Sequence, residues 1–292
     1  MLHSLLLLVL ALSQSLTYSR GQNISPAYEG WEQAADGSRY FVFGYMNRNW
    51  EEEIDVPIGV GNTFSPGSAD QGQPTHFLPR RNRFVFRVRV PDGFSERDEM
   101  TWTLTSHGKT EKAYASLRLD YVIDDVVKAS ETGALGAGTS SPEVRGNRPP
   151  GLRIDPATSQ TVRVGQPLTL TAYVEDDGVP KRRTNNAVAQ RLATIPPTRI
   201  TVGKNLGLHV SWLVYRGAGA VTFDPPQVKT WEDTRTGANS PWAPVWVPDP
   251  IPPGGKVAAH VTFSQPGTYV LRCRADDGAL TTDQEITVVV TD

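Results

Sequence analysis

Cysteine is almost absent: the 292 residues include one, Cys273. A lone thiol closes no internal disulfide, so buried apolar surface has to hold the chain together. Lipid attachment needs a cysteine just after an apolar leader, and none stands there. Excess charge is also missing, since 29 Lys and Arg against 31 Asp and Glu leave a net charge of −2. That balance excludes a global field for nucleic acid or anionic lipid. Long helical patterns rich in Ala, Leu, Glu and Lys do not occur, whereas 26 Gly and 23 Pro favour many short strands and turns. No H-E-x-x-H, G-x-S-x-G or Cys/His signature is present, so no catalytic residue is assigned.

The apolar run Leu5–Leu12 is far shorter than the roughly 20 residues a membrane-spanning helix needs. It reads as the core of a signal peptide over residues 1–21, followed by small residues suited to cleavage, although no Lys or Arg precedes it. The expectation is a secreted or periplasmic protein whose mature chain has no transmembrane span.

The length suits two domains. The first is expected over 22–127 as a β-sandwich or barrel. Gln22–Asp36 carries Tyr28 and Trp31 without a regular pattern. Arg39–Phe43 reads as a strand, Met46–Asn49 as a turn, Trp50–Ile58 as a strand with Glu51, Glu52 and Glu53, and Gly59–Pro79 as a long polar loop. In Arg83–Val90, Phe84, Phe86, Val88 and Val90 share one face, and Arg83, Arg87 and Arg89 the other. That alternation marks a half-buried strand. Met100, Trp102 and Leu104 alternate in the same way, as do Ala113, Ala115, Leu117 and Leu119.

Residues 128–151 are rich in Gly, Ser, Thr and Pro and read as a linker. The second domain is expected over 152–292. Leu168, Leu170, Ala172 and Val174 alternate; so do Leu208, Val210, Trp212 and Val214, and then Val257, Ala259, Val261 and Phe263. In Pro266–Val290, Tyr269, Leu271, Cys273 and Ala275 fall on one face, and Val270, Arg272 and Arg274 on the other. Asp277-Gly278 turns the chain into Ile286, Val288 and Val290. About seven strands, a Trp on the third major one and a Tyr at the start of a later one fit an immunoglobulin-like sandwich. The fold class is therefore all-β, with two sandwiches.

The segments VSWLVYRGAGAVTFDP and VTFSQPGTYVLRCRADDGALTTDQEITVVV resemble the polycystic-kidney-disease (PKD) type of Ig-like domain. The matching positions are Trp212, Gly217, the Pro266-Gly267-Thr268-Tyr269 corner and Asp276-Asp277-Gly278, within Asn147–Asp292. Pro180–Gly207 and Gln227–Gly255 depart from the pattern as two long insertions. The resemblance implies an adhesive or spacer role in a secreted protein and implies no catalysis.

The second insertion holds Trp231, Trp242 and Trp246 among many prolines, with Arg235 and Asn239 between them. Proline pre-orders an extended loop, and its large aromatics could stack on a glycan or anchor a cell-surface protein. The same tryptophans could instead fold back onto the sandwich. Asp176-Asp177 and Asp276-Asp277 both read DDG and could gather Ca²⁺, yet Asp-Gly turns need no metal, so no cofactor is expected. The Arg80, Arg81, Arg83, Arg87 and Arg89 face could pair with Glu51 or Glu53, or take an anionic polysaccharide. His76 with nearby Asp70 is the one candidate for acid–base work, while His209 and His260 read as polar-face residues. The best reading is a secreted, non-enzymatic binding or scaffolding protein. The alternatives are a polysaccharide hydrolase or lyase with its site in the first domain, and a structural envelope spacer.

Overall fold

The computed structural model describes residues 18–131, 142–181, 207–231 and 249–292. The first half contributes β1 (Ile24–Gln33), β2 (Arg39–Asn47), β3 (Ile54–Asp55), β4 (Asn62–Ser65), β5 (His76–Phe77), β6 (Arg80–Arg89), β7 (Met100–Ser106) and β8 (Lys109–Ala115). Helices α1 (Asp125–Glu131) and α2 (Pro142–Gly146) follow. The second half contributes β9 (Gly151–Asp155), β10 (Gln160–Arg163), β11 (Leu168–Glu175), β12 (His209–Arg216), β13 (Val221–Asp224), β14 (Lys256–Phe263), β15 (Gly267–Asp276) and β16 (Thr281–Thr291). The protein is an all-β sandwich chain, as its alternation predicts.

In the first half the sheet β1-β2-β6 faces the sheet β4-β7-β8, and β3 pairs with β5. The inward residues form an aromatic core of Phe41, Phe43, Phe64, Phe77, Phe86 and Trp102. Rings pack edge-to-face or stacked; Phe86 meets Trp102 at 5.1 Å and 90°.

Several expectations for this half need correction. Gln22–Asp36 holds a ten-residue strand, β1. Its pattern is hidden because the register shifts between Tyr28 and Gly30, so a bulge breaks the alternation. Gly30 has φ 137°, and a Cβ there would lie 2.5 Å from Tyr121 O. Trp50–Ile58 is not a strand except at Ile54–Asp55. Phe84 leaves the inward row at a second bulge, with φ 50°. The last strand ends at Ala115, and Leu119 is exposed.

The polar stretch Gly59–Pro79 is not one loop, since it includes β4 and β5. Buried carboxamides peg it in place. Asn62 Nδ2 donates to Val56 O and Pro74 O at 3.0 and 2.9 Å. Gln73 Nε2 donates to Ala69 O at 2.8 Å, and Asn82 Nδ2 to Pro79 O at 3.0 Å. Irregular backbone can be buried here because side-chain amides satisfy its carbonyls.

In the second half the sheets run β13-β14-β11-β9 and β10-β16-β15-β12. With strands lettered in chain order these are the A-B-E-D and C-F-G sheets of an Ig-like sandwich, with β10 added in parallel to β16. Trp212 is 2% exposed on the C strand, and Cys273 is buried on the F strand. The Tyr269 hydroxyl donates to Gln265 O at 3.0 Å and Ala218 O at 2.6 Å, which is a tyrosine corner. The corner explains Gly217: at φ 126° a Cβ would stand 2.5 Å from the Tyr269 ring. Tyr269→Phe is expected to cost about 1–2 kcal/mol in urea unfolding, because it strands two carbonyls while keeping the ring.

Helix α1 begins before residue 128 and packs Ala129 against Ala279 and Leu280, next to the turn between β15 and β16.

Candidate functional site

The first half rests on the outer face and free edge of the sheet containing β12 and β15. Arg216 grips Asp70 through Nη1 and Nη2 at 2.9 and 2.7 Å, and its Nε donates to Gln73 O at 2.8 Å. This guanidinium holds the Asp70 carboxyl below its usual range. The Tyr215 hydroxyl donates to Gly72 O at 2.5 Å, and the Thr75 N–H donates to Tyr215 O at 3.2 Å. An open strand edge is thereby covered by the chain's own first half.

Arg272, expected on an outward polar face, is only 5% exposed. Alternation correctly turns it away from the sandwich core, but the first half packs over it. Its guanidinium donates to Val85 O at 2.5 Å and to Glu285 Oε1, and lies 3.6 Å from the Tyr215 ring centroid. Burial opposes its charge, but Tyr215, Asp283 and Glu285 outweigh that and hold the group protonated. Arg274 beside it makes two 2.8 Å bonds to Asp283.

Between this junction and the chain after β13 lies a cavity of about 550 Å³. The first half supplies Trp50, Glu51, Glu53 and His76 to its wall, and the second half supplies Trp212, Phe223, Lys229 and Trp231. The Arg80 guanidinium lies 3.8 Å from the Trp50 ring centroid, and Lys229 Nζ lies 5.3 Å from that of Trp231. Gln227 folds back so that its Oε1 accepts the Trp212 backbone N–H at 2.9 Å. Trp231 is 8% exposed. The indole N–H groups of Trp212 and Trp231 are buried and have no acceptor among the described residues.

Of the contacts expected from sequence, Trp231 is placed on this wall. Arg235, Asn239, Trp242 and Trp246 lie outside the described residues. Trp50, Glu51 and Glu53 were not anticipated as wall residues. They lie far from Trp231 in sequence, and no local periodicity connects the two stretches.

His76 does not pair with Asp70, which Arg216 takes. Its Nδ1 lies 2.7 Å from Asp55 Oδ1, and its Nε2 lies 3.0 Å from Glu53 Oε2. Burial opposes the imidazolium, but the bonds to Asp55 and Glu53 outweigh it and push the pKa up to about 9. With both nitrogens donating, the ring has no lone pair for a substrate proton near neutral pH. A raised folded-state pKa stabilises the fold fully below about 6.5, the unfolded value, and that gain is lost as pH rises through about 9. The urea midpoint of wild type is therefore expected to exceed that of His76→Gln at pH 6, with the gap closing by pH 9.5. His209, expected on a polar face, is 6% exposed, with Nε2 3.5 Å from Asp276 Oδ2.

The two DDG turns use their carboxylates internally. Asp277 Oδ1 accepts from the N–H groups of Ala279 and Leu280 at 2.6 and 2.8 Å, and its Oδ2 accepts from Asn147 Nδ2 at 3.0 Å. Burial pushes the Asp277 carboxyl up to about 6. Asp276, Asp176 and Asp177 each accept a backbone N–H two residues on. Among the described residues no group of three or more His, Cys, Asp or Glu is arranged to hold a metal. Three arginines of the basic face pair with carboxylates other than Glu51 and Glu53. Arg81 bonds Glu29 at 2.7 Å, Arg87 bonds Glu32 at 3.0 Å and Arg83 bonds Glu131 at 2.6 Å. Lys128 also reaches Glu32, so α1 is tied to β1.

No family model and no curated protein matches the chain. Among solved structures, a conjugative transposon lipoprotein from Bacteroides eggerthii aligns at 11% identity over 48% of this chain and 96% of its own, with a TM-score of 0.28. The D00-D0 domain of intimin aligns at 11% identity over 92% of this chain and 100% of its own, with a TM-score of 0.25. The N-terminal eight Ig domains of the Down Syndrome Cell Adhesion Molecule align at 10% identity over 92% of this chain and 27% of their own, with a TM-score of 0.24. Likeness at this level carries no argument about function, and the Ig-like assignment stands on strand order, Trp212 and the tyrosine corner.

Proposed function

We propose that this chain is a secreted, non-enzymatic binding or scaffolding protein that makes contact through the aromatic cleft beside Trp231. Residues 1–21 would serve as the leader, 22–127 and 152–292 as the two sandwich units, the latter of PKD type, and 128–151 as their connection. The observation that carries the reading is the cavity of about 550 Å³ between two halves clamped by Arg216 and Arg272. Such a volume, with Phe223, Val228 and Trp231 on one side and Glu51, Glu53 and His76 on the other, suits a small-molecule or short-chain ligand. Trp242, Trp246, Arg235 and Asn239 follow Trp231 in the chain and belong to the same proposal as further contacts. The test is surface plasmon resonance of the purified chain against a panel of surface glycans and cell-surface proteins. Trp242→Ala with Trp246→Ala is expected to abolish binding at unchanged melting temperature; equal binding by wild type and variant rejects those contacts.

A second reading, a polysaccharide hydrolase or lyase, draws on His76, Glu53 and Asp55 meeting at the cleft. The doubly bonded imidazolium counts against it as a base. Release of reducing ends by wild type but not by His76→Gln would establish it.

A further inference from the structure

We infer that the cleft takes a neutral, hydroxyl-rich ring ligand, a short uncharged oligosaccharide, seated between the aromatic wall of the second half and the carboxylate wall of the first. The inference rests on the binding reading above and narrows it to one chemistry.

Charge comes first. The wall carries two carboxylates, Glu51 and Glu53, and two cationic side chains, Lys229 and His76. His76 is spanned by Glu53 and the adjacent Asp55. Neither sign dominates, so a strongly charged ligand gains little there and loses its hydration on entry.

The two walls differ in character. Phe223 and Val228, half-buried, offer an apolar surface with the edge of Trp231 beside them, whereas Glu51 and Glu53 offer acceptors. A pyranose matches both: its C–H face suits the negative face of an aromatic ring, and its edge hydroxyls donate to carboxylates. The wall also carries Thr222, Gln227 and Thr230, and a purely apolar ligand would strip water from these polar side chains and return no hydrogen bond.

The backbone argues against an extended peptide. A peptide adding to the edge of β12 would need its outward N–H and C=O groups. The Trp212 N–H is already taken by Gln227 Oε1, and Tyr215 O by the Thr75 N–H. A compact ring needs no such ladder. The space of about 550 Å³ admits a short oligosaccharide and no folded domain.

The test is titration of the purified full chain with cellobiose, maltotriose and diacetylchitobiose, read by tryptophan fluorescence and calorimetry. Tetragalacturonate and tetra-alanine serve as anionic and peptide comparisons. Thr222→Trp places a large ring on the wall from an exposed position of β13, and Glu51→Gln removes an acceptor charge. Saturable binding of at least one neutral sugar is expected, weakened about tenfold or more by Thr222→Trp at unchanged melting temperature. Glu51→Gln is expected to weaken the same sugar. Binding of tetragalacturonate or tetra-alanine alone, sensitive to Thr222→Trp, would overturn the sugar assignment and leave the cleft reading standing. Sugar binding indifferent to both variants would overturn the cleft as well.

Discussion

Trp102→Ala is expected to cost about 3–5 kcal/mol, the range for emptying a fully buried large aromatic. Trp102 is 0% exposed at the centre of the first half. Its ring stacks on Phe64 at 5.8 Å, meets Phe43 at 5.9 Å and Phe86 at 5.1 Å edge-on, and overlaps Phe77 at 6.3 Å. Four rings would therefore line the void, and large rigid neighbours collapse poorly into it. The indole N–H also donates to Asn62 Oδ1 at 2.9 Å. Asn62 uses its own Nδ2 to hold the carbonyls of Val56 and Pro74, so the truncation loosens the peg that fastens the stretch around β4 and β5. Urea unfolding followed by near-UV circular dichroism measures the loss. Trp102→Phe, which keeps most of the volume and loses the donor, should fall between wild type and alanine. A loss below about 1 kcal/mol for the alanine variant would contradict the core described here.

Arg272→Met is expected to cost about 3 kcal/mol and to separate the melting of the two halves. The methionine fills similar length without charge, so the loss reports the polar contacts. Three of them disappear together: the bond to Val85 O, the pair with Glu285 Oε1 and the stacking on Tyr215. Val85 O would be left without this donor inside the junction. Asp283 keeps both bonds to Arg274, which limits the damage to the sheet itself. Arg272→Lys is not expected to rescue, since an ammonium cannot donate to Val85 and Glu285 in the planar geometry of a guanidinium. Differential scanning calorimetry should show one transition for wild type and two for Arg272→Met. A single unshifted transition would mean that the junction does not couple the halves.

Much of the fold is legible in the sequence. β7, β11, β14 and β15 each place inward residues at every second position, as β6 does from Phe86 onward, and every second position on a strand faces one side. The Trp212 and Tyr269 landmarks marked the Ig-like half. What was not legible has identifiable causes. β1 was hidden by the bulge at Gly30. The Asn62 and Gln73 pegs have no pattern, because a buried amide binds whichever carbonyls a loop presents. Of the cleft wall, the sequence points to Trp231 and His76. His76 has Asp70 as its neighbour in sequence, while its partners in space are Asp55 and Glu53.

Which residues turn toward a core was determined by the sequence alone: alternation and turn chemistry act over a few residues, and local rules suffice to specify an all-β sandwich chain. The tertiary structure decided which outward faces are then covered. Arg272 and Val85 are 187 positions apart, and Trp50 reaches the Trp231 cavity from the other half of the chain. No periodicity links residues that distant, so the buried arginine junction and the cleft exist only once one sheet's outer face is packed against the first half.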